Sequence, residues 1–431
     1  MNILLVNPTA PAALKKENLG LAQLAACLEA DRHRVRIADE IAGQDVEEIL
    51  DEFSPDLVGI SAMTMFAPHA YRIADAIRGT RGIPVVLGGA HPTALPEEAL
   101  GHADCVLLGE GERTFPALLA TGKLEGIVEP DPPDELDDLP LPARDKLDLD
   151  YYAEAGEELA GLSLRTLGAI TSRGCPYHCT FCVNSKRQTR VRFHSAERVL
   201  EEIRYLVERH HIESIAFYDE LMGTDAKRLR EISEGMVRKG FHTLRWECQM
   251  HTRTVKSELL EHMKKAGCVQ VAIGFESGSQ AVLDTIAKDV TVEENLEAAR
   301  RVREAGLRLR ACFVMGAPGE TLDDIRMTRR FIKSARVDFA SIHYLTPYPG
   351  TLLFDRFAGQ IAAKGIPWDR FTTGDPACFT CNDAIPADEQ ERLFARLSAQ
   401  QALRNYSWGE MLRRAIRNPH HAWHVVKSLL S

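Results

Sequence analysis

Short apolar segments alternate with helical patterns along most of this chain, and this alternation constrains its fold more than any other feature. Within the first 120 residues, five segments have the composition of strands: 3–6, 35–38, 57–61, 84–87 and 105–108. Apolar residues at helical spacing, as in 21–28, lie between them. Such alternation predicts a parallel sheet with helices on both faces. We therefore expect an α/β protein whose residues 1–124 form a Rossmann-like, doubly wound sheet.

The same alternation resumes in the second half of the chain. Six further strands are predicted there, at 166–172, 214–218, 243–247, 269–274, 309–315 and 339–345. Six βα units predict a partial (β/α)6 barrel over 161–360. In both architectures ligands bind at the carboxyl ends of the strands. Residues 125–160, rich in acidic side chains and proline, predict an extended linker, and 361–431 predict a helical C-terminal segment.

Charge and hydropathy exclude several classes of protein. Lysine and arginine number 52 against 62 aspartates and glutamates, a formal charge of -10, which argues against a nucleic-acid partner. No apolar run approaches the roughly 20 residues that span a bilayer, and the first residues resemble a strand more than a signal peptide. We therefore expect a cytoplasmic protein whose ten cysteines do not form a disulfide framework.

Three of those cysteines form the sharpest motif of the sequence, CPYHCTFC at 175–182, directly after the first barrel strand. Closely spaced thiolates bind soft metals or iron–sulfur clusters. A structural zinc ion would need a fourth ligand, from His178 or His194. Three cysteines alone would leave one iron of a 4Fe–4S cluster open to an outside ligand. A further alternative is that the three motif cysteines only pack in the protein interior. Cys378 and Cys381, which lie elsewhere in the sequence, are expected to be ordinary loop cysteines.

The CxxxCxxC spacing after the first strand of a βα barrel resembles the radical S-adenosylmethionine (SAM) superfamily. Phe181 precedes the third cysteine, as is usual in that family, and the later strand ends carry YDE, GFESG and GAPGET. The resemblance implies that Cys175, Cys179 and Cys182 hold a 4Fe–4S cluster. It also implies a set of SAM-binding residues: Phe181, Asp219, Glu220, Glu276, Ser277, Arg310, Gly316, Pro318, Gly319 and Glu320. Arg253 and Arg310 are the two candidates for binding the SAM carboxylate, with a surface ion pair as the alternative role of each.

The N-terminal domain places glycine-rich segments at its predicted strand ends, GGAHPTALPEE from 88 and GEGERTF from 109. These segments resemble the cobalamin-binding domain that precedes the barrel in class B radical SAM proteins. The implied cobalamin contacts are Asn7, Pro8, Ser61, Thr64, Gly88, Gly89, His91, Gly109, Glu110 and Gly111. In cobalamin mutases and methionine synthase, a DxHxxG loop supplies a histidine ligand to cobalt. This chain lacks that loop, so we expect no histidine ligand on cobalt. A vestigial domain, kept only for folding, is the alternative.

The resemblance implies a cobalamin-dependent radical SAM enzyme that transfers a methyl group to an unactivated carbon of a small molecule. In such enzymes one SAM yields a 5′-deoxyadenosyl radical and another remethylates cobalamin. Another radical reaction, such as cyclisation or dehydrogenation, is the main alternative, and a cofactor-binding sensor is a remote one. A methylthiotransferase is disfavoured because the N-terminal domain has only Cys27 and Cys105, too few for a second cluster.

The partners follow from the same interpretation. A reductant such as flavodoxin or ferredoxin would supply electrons. The basic residues and apolar stripes of 401–431 fit either a membrane-surface contact or a helix docked on the protein. A membrane contact would suit an apolar substrate such as a lipid or a tetrapyrrole.

Overall fold

Two six-stranded parallel sheets form the framework of the computed structural model, which describes residues 1–10, 15–155, 159, 162–186, 190–375 and 378–405. The strands of the first sheet are β1 (Asn2–Asn7), β2 (Arg34–Asp39), β3 (Leu57–Ser61), β4 (Val85–Gly88), β5 (Cys105–Leu107) and β6 (Gly126–Val128). Their spatial order is β2-β1-β3-β4-β5-β6. The strand order reverses between β1 and β3, and in open α/β sheets ligands bind near such a reversal.

Helices cover both faces of this first sheet. They are α1 (Leu19–Ala30), α2 (Val46–Phe53), α3 (Ala67–Arg81), α4 (Ala90–Ala94), α5 (Pro96–Leu100) and α6 (Thr114–Thr121). Alternate residues of β1 point to opposite faces: Leu5 packs in one apolar core with Leu21 and Phe115, and Leu4 packs in another with Ile49. Burial on both faces explains why these strands are continuous apolar runs.

The second sheet is an open barrel. Its strands are β7 (Thr166–Ala169), β10 (Ser214–Phe217), β11 (Arg245–Met250), β12 (Cys268–Glu276), β13 (Arg308–Met315) and β14 (Phe339–Tyr344). Neighbouring strands pair in sequence order and in parallel, from β7 at one edge to β14 at the other. A short antiparallel pair, β8 (Ser172–Arg173) and β9 (Arg192–Phe193), lies outside this sheet. The three motif cysteines lie between β8 and β9.

Helices pack around the outside of the open barrel. They are α7 (Leu149–Ala155), α8 (Ala196–His210), α9 (Ala226–Arg238), α10 (Ser257–Lys265), α11 (Gln280–Thr285), α12 (Val292–Glu304), α13 (Leu322–Ala335), α14 (Leu352–Lys364) and α15 (Ala387–Asn405). The large side chains Trp246, Phe275 and Phe313 are buried between strands and helices. Thr291 and Thr321 begin α12 and α13 with reciprocal capping boxes, which fix where those helices start.

Side chains cap both edges of the open sheet. At β7 the backbone N–H of Gly168 donates to the carboxylate of Glu17, and its carbonyl accepts from Arg144 at 2.8 Å. At β14 the side-chain amide of Asn405 accepts from the N–H of Ala340 at 3.1 Å and donates to its carbonyl at 2.6 Å. Exposed edges invite pairing with other chains, so these contacts complete a barrel that does not close on itself.

The segment that we expected to be an extended linker is instead built into the fold. Its residues 126–128 form β6 of the first sheet. Leu136 and Leu139 pack on Cys27 of α1, and Arg144 is only 1% exposed. The prediction of an extended linker rested on the acidic residues and prolines of this segment and took no account of the leucines between them.

Two further expectations concern the membrane and the chain end. Among the residues that the structure describes, no helix combines the length and apolarity needed to cross a bilayer. Helix α15 ends at Asn405, so most of the basic segment 401–431 lies outside the described residues.

Candidate cluster and corrin site

The three motif cysteines lie on a loop at the carboxyl edge of the barrel. Cys179 is buried, and the other two are partly exposed. Two hydrogen bonds hold the loop from either side: the N–H of Thr180 donates to the carbonyl of Ile286 at 2.9 Å, and its carbonyl accepts from the N–H of Leu353 at 2.9 Å. Burial raises the pKa of Cys179 to about 11, so its thiolate would form only with a compensating cation. Phe181 packs in the adjacent apolar cluster.

A buried lysine supplies positive charge beside this loop. The ammonium of Lys288 lies 2.9 Å from the carboxylate of Glu276, and both side chains are about nine-tenths buried. Burial favours the neutral amine, but Glu276 and the nearby Cys179 and Cys175 outweigh it and raise the pKa of Lys288. Glu276 itself has a left-handed backbone with φ of 63°, which is strained for a side chain of this type.

Lys288 was missed in the sequence. It follows α11 as one lysine of a polar turn, and no spacing or composition distinguishes it there. Lys288 comes close to Glu276 and the cysteines only because the loop after α11 folds back onto the end of β12. A positive side chain there favours thiolates over thiols at the cysteine loop. Three thiols beside a buried cation have the chemistry that the ligands of an iron–sulfur cluster need, and among the described residues their side chains are not yet gathered into one metal-binding group.

Asp219 lies below the cysteine loop and is completely buried. Its carboxylate accepts from the N–H and the hydroxyl of Thr171, each at 2.6 Å, and from the hydroxyl of Ser172 at 2.5 Å. Burial raises its pKa, although these bonds counteract the shift. Through these bonds Asp219 fixes the chain that enters the cysteine loop. Because its carboxylate is buried and already hydrogen-bonded, its placement does not support the predicted contact with SAM. The neighbouring Glu220 does face open space.

The other predicted SAM residues also divide into buried side chains with protein partners and residues that are at least partly exposed. Ser277 is fully buried, 3.0 Å from the hydroxyl of Thr328. Glu320 accepts from the backbone N–H groups of Gly316 and Ala317, at 2.6 and 3.3 Å, and so closes its own turn. Pro318 is partly exposed and Gly319 is exposed in the same turn. Ser277 and Glu320 are therefore buried and hydrogen-bond within the protein, where they stabilise the turns at the ends of β12 and β13.

The two candidate arginines also differ. Arg253 pairs with Asp289 at 2.8 Å and Glu294 at 3.1 Å near the surface, which is the surface ion pair that the sequence left as an alternative. Arg310 lies 3.8 Å from Glu247 and over the ring of Phe339.

A cavity of about 420 Å³ lies between the first sheet and the barrel. Six of the predicted cobalamin residues line it: Ser61, Gly88, Gly89, Gly109, Glu110 and Gly111. Gly20 and Gly59 also line it and were missed. On the barrel side it is lined by Ser172, Arg173, Gly174 and Glu220. The cavity therefore reaches Gly174, which directly precedes the first motif cysteine.

One position of the cavity wall requires glycine. Gly89 has φ of 97°, and a Cβ there would lie 2.8 Å from the carbonyl oxygen of Ala62. Any larger residue would have to displace backbone. The glycine-rich wall fits a bulky ligand that approaches the backbone closely, as the corrin and its nucleotide tail would.

Four predicted cobalamin residues do not line the cavity: Asn7, Pro8, Thr64 and His91. The side chain of Asn7 donates to Asp39 at 2.7 Å. His91 is fully buried with Nε2 3.3 Å from Glu98, which also accepts from the indole of Trp368. His91 thus helps to join the N-terminal domain to the C-terminal segment.

Ion pairs cross the cavity mouth and join the two domains. Arg173, two residues before Cys175, pairs with Glu110 at 2.6 Å and with Glu112 at 2.7 Å. Arg192 on β9 also pairs with Glu110. The loop that follows β5 therefore holds both strands that flank the cysteine loop.

Comparison with known proteins agrees with this geometry. The radical SAM superfamily model matches residues 169–332, and the B12 binding domain model matches residues 9–119. An uncharacterized methyltransferase of Pyrococcus horikoshii is 33% identical over 87% of this chain and 87% of its own. Bacteriochlorophyllide d C-8(2)-methyltransferase of Chlorobaculum tepidum is 27% identical over 92% of this chain and 87% of its own. Anaerobic magnesium-protoporphyrin IX monomethyl ester cyclase of Cereibacter sphaeroides is 27% identical, covering 86% and 64%.

Among solved structures, the radical SAM methyltransferase TsrM from Kitasatospora setae, with cobalamin and a 4Fe–4S cluster bound, superposes with a TM-score of 0.67 at 19% identity. The match covers 84% of this chain and 75% of that one. At that identity the likeness concerns the fold, in which a doubly wound sheet precedes an open barrel. Together with the relative that is 33% identical, the two domain matches show that this chain belongs to the radical SAM superfamily of enzymes, in the group that carries an N-terminal B12-binding domain.

Proposed function

We propose that this enzyme is a cobalamin-dependent radical SAM methyltransferase that acts on an unactivated carbon of a small molecule. One observation carries the proposal: the glycine-lined cavity of the first sheet reaches Gly174, the residue before the first cluster cysteine. Chemistry at a corrin and chemistry at a cluster would therefore share one space. Relatives named as methyltransferases support methyl transfer as the outcome.

Each part of the site has a role in this reaction. When bound, the cluster would supply the electron that cleaves SAM to a 5′-deoxyadenosyl radical, and the corrin would carry the methyl group. Cys175, Cys179 and Cys182 would hold the cluster. We assign the SAM carboxylate to Lys288, in place of Arg253, because Lys288 is buried beside the cysteines and Arg253 pairs at the surface. Glu220, whose pKa burial raises, faces the cavity and would receive the SAM amino group.

The N-terminal domain would hold cobalamin by backbone contact, with no histidine on cobalt. His91, the histidine of this domain that we predicted near the corrin, is fully buried and does not line the cavity.

The substrate that we propose is an apolar small molecule of the tetrapyrrole or lipid kind, and the electron donor a flavodoxin or ferredoxin. Two relatives are named for tetrapyrrole chemistry. One of them is a cyclase, and for that reason a radical reaction without methyl transfer is the second candidate function.

Anaerobic reconstitution with iron, sulfide and hydroxocobalamin tests the proposal. We expect about four irons and one cobalt per chain, a corrin spectrum without histidine ligation, and reductive release of 5′-deoxyadenosine. Formation of S-adenosylhomocysteine alongside it would support methyl transfer, and its absence would favour the cyclase-like alternative. The Cys179→Ala variant should lose both cluster absorbance and SAM cleavage; unchanged iron content would overturn the cluster assignment.

A further inference from the structure

His251 lies at the carboxyl end of β11, directly after Met250, and none of the assignments above includes it. Its imidazole is 3% exposed. The ring stacks on Tyr177 of the cysteine loop, with centroids 3.6 Å apart and planes inclined by 17°. His251 is therefore in direct contact with the segment that joins Cys175 to Cys179.

The hydrogen bonds of His251 fix where its proton lies. Nδ1 accepts from the backbone N–H of Arg253 at 3.3 Å and caps the short turn that follows. Burial and the positive charges of Lys288 and Arg253 lower the pKa of His251 to about 3. The ring is therefore neutral at physiological pH, and its single proton is on Nε2.

Nε2 is enclosed and has no hydrogen-bond partner in the described chain. A buried donor without an acceptor costs about 1–3 kcal/mol, so its presence calls for an explanation, and a partner that the protein chain does not supply is one. Lys288 and Arg253 lie close to the ring, with Glu294 acting against them, and they favour an acceptor that carries negative charge. At this loop two such acceptors are expected on the proposed function: the sulfurs of the cluster and the carboxylate of SAM.

We propose that His251 is a positioning residue whose Nε2–H donates a hydrogen bond to a negatively charged acceptor held at the cysteine loop. This inference rests on the proposed function. A hydrogen bond to a cluster sulfur stabilises the more negative, reduced cluster and raises its reduction potential. A hydrogen bond to the SAM carboxylate instead strengthens SAM binding without that effect.

Two variants isolate the donor. His251→Phe keeps an aromatic ring against Tyr177 and removes the N–H, whereas His251→Gln places an amide N–H near the position of Nε2. Both lose the Nδ1 acceptor, so a difference between them reports on the donor. His242→Phe is the matched control, because His242 is an exposed histidine near the opposite end of the same strand.

The measurements are the midpoint potential of the reconstituted cluster without SAM, by electron paramagnetic resonance titration, and the dissociation constant of SAM. If the acceptor is a cluster sulfur, His251→Phe should lower the potential enough to cut the reduced-to-oxidised ratio about tenfold at a fixed potential, which is 59 mV for one electron. If the acceptor is SAM, the potential should stay constant while the dissociation constant rises about tenfold. His251→Gln should recover most of either change.

Unchanged potential and unchanged SAM affinity in His251→Phe, with wild-type iron content and melting temperature, would overturn the inference. If His251→Phe loads no iron, His251→Leu, which also removes the N–H, takes its place: a potential and an affinity that both match His242→Phe overturn the inference, and a shift in either that His251→Gln recovers supports it. Failure of the wild-type chain to bind a cluster would refute the proposed function itself, and iron analysis identifies that outcome first.

Discussion

A few buried charges lie around the cysteine loop. Lys288 and Glu276 neutralise each other where water is excluded. Removing one partner of such a pair leaves an uncompensated charge, which costs more than the pair contributes. The strained backbone of Glu276 persists under the same constraint. Strain and buried charge therefore coincide at the end of β12, beside the position where we propose that SAM binds.

We predict that Lys288→Met lowers the free energy of unfolding by about 3–5 kcal/mol and abolishes SAM binding. Urea unfolding of the apo chain and equilibrium SAM binding to the reconstituted protein would measure the two effects. Lys288→Arg keeps the charge and should lose less of both. The double variant Lys288→Met with Glu276→Gln should regain stability but not SAM affinity; no regained stability would contradict the pairing.

Asp219 supports a second prediction at the same scale. Its two oxygens accept three hydrogen bonds from Thr171 and Ser172, and an amide would turn one acceptor into a donor. Asp219→Asn should therefore destabilise the chain by about 1–3 kcal/mol and reduce the iron bound after reconstitution. Glu220→Gln, which leaves those bonds intact, should bind normal iron. Equal iron in both variants would argue against a role for Asp219 in holding the loop.

At the scale of elements, the turn after β13 has its own acid. Glu320 is 2% exposed, and burial raises its pKa from 4.5 to about 7, although two backbone N–H groups favour the charged form. A carboxyl whose pKa is higher in the folded state stabilises the fold most when it is protonated. Its contribution is complete below about pH 4.5 and is lost as the pH rises through 7.

We therefore expect stability to decline between pH 5 and 8 by an amount on the order of 2 kcal/mol that belongs to Glu320. Comparing urea unfolding of the wild type with Glu320→Gln across this range isolates the contribution. The variant, which cannot ionise, should show a flatter dependence on pH. Parallel curves would mean that Glu320 is already ionised in the folded state at pH 5.

The elements themselves were largely predictable from the sequence. Strands buried on both faces are apolar runs, and glycines at their carboxyl ends locate the cavity; Gly88, Gly89 and Gly109 were found in this way. The partners of Lys288 and Asp219 could not be predicted, because they depend on loops that meet only after folding. The same limit applies to His91, whose neighbour Trp368 comes from the far end of the chain.

At the scale of the whole molecule, the two domains meet through charge as well as shape. Arg144 lies between Glu17 of the first domain and Glu202 of the barrel, at 3.9 and 2.6 Å, and is almost completely buried. Arg173 pairs with Glu110 and Glu112 at the cavity mouth. The loop after β5 lines the glycine-rich cavity and also pairs with Arg173, which directly precedes Gly174, so it connects the cavity to the chain that enters the cysteine loop.

Such contacts predict energetic coupling between the two cofactor sites, which must be reciprocal. Hydroxocobalamin should bind more tightly to the cluster-loaded chain than to the cluster-free chain, by about 5–150-fold. Glu112→Gln weakens the ion pair between Arg173 and residue 112. It should reduce this ratio of affinities several-fold without abolishing the binding of hydroxocobalamin. Equilibrium binding of hydroxocobalamin, followed by its visible absorbance in both forms, would measure the ratio. Glu97 is an exposed acid of α5 outside the cavity, so the control variant Glu97→Gln should leave the ratio of affinities unchanged. If Glu112→Gln also left the ratio unchanged, the two domains would bind their cofactors independently.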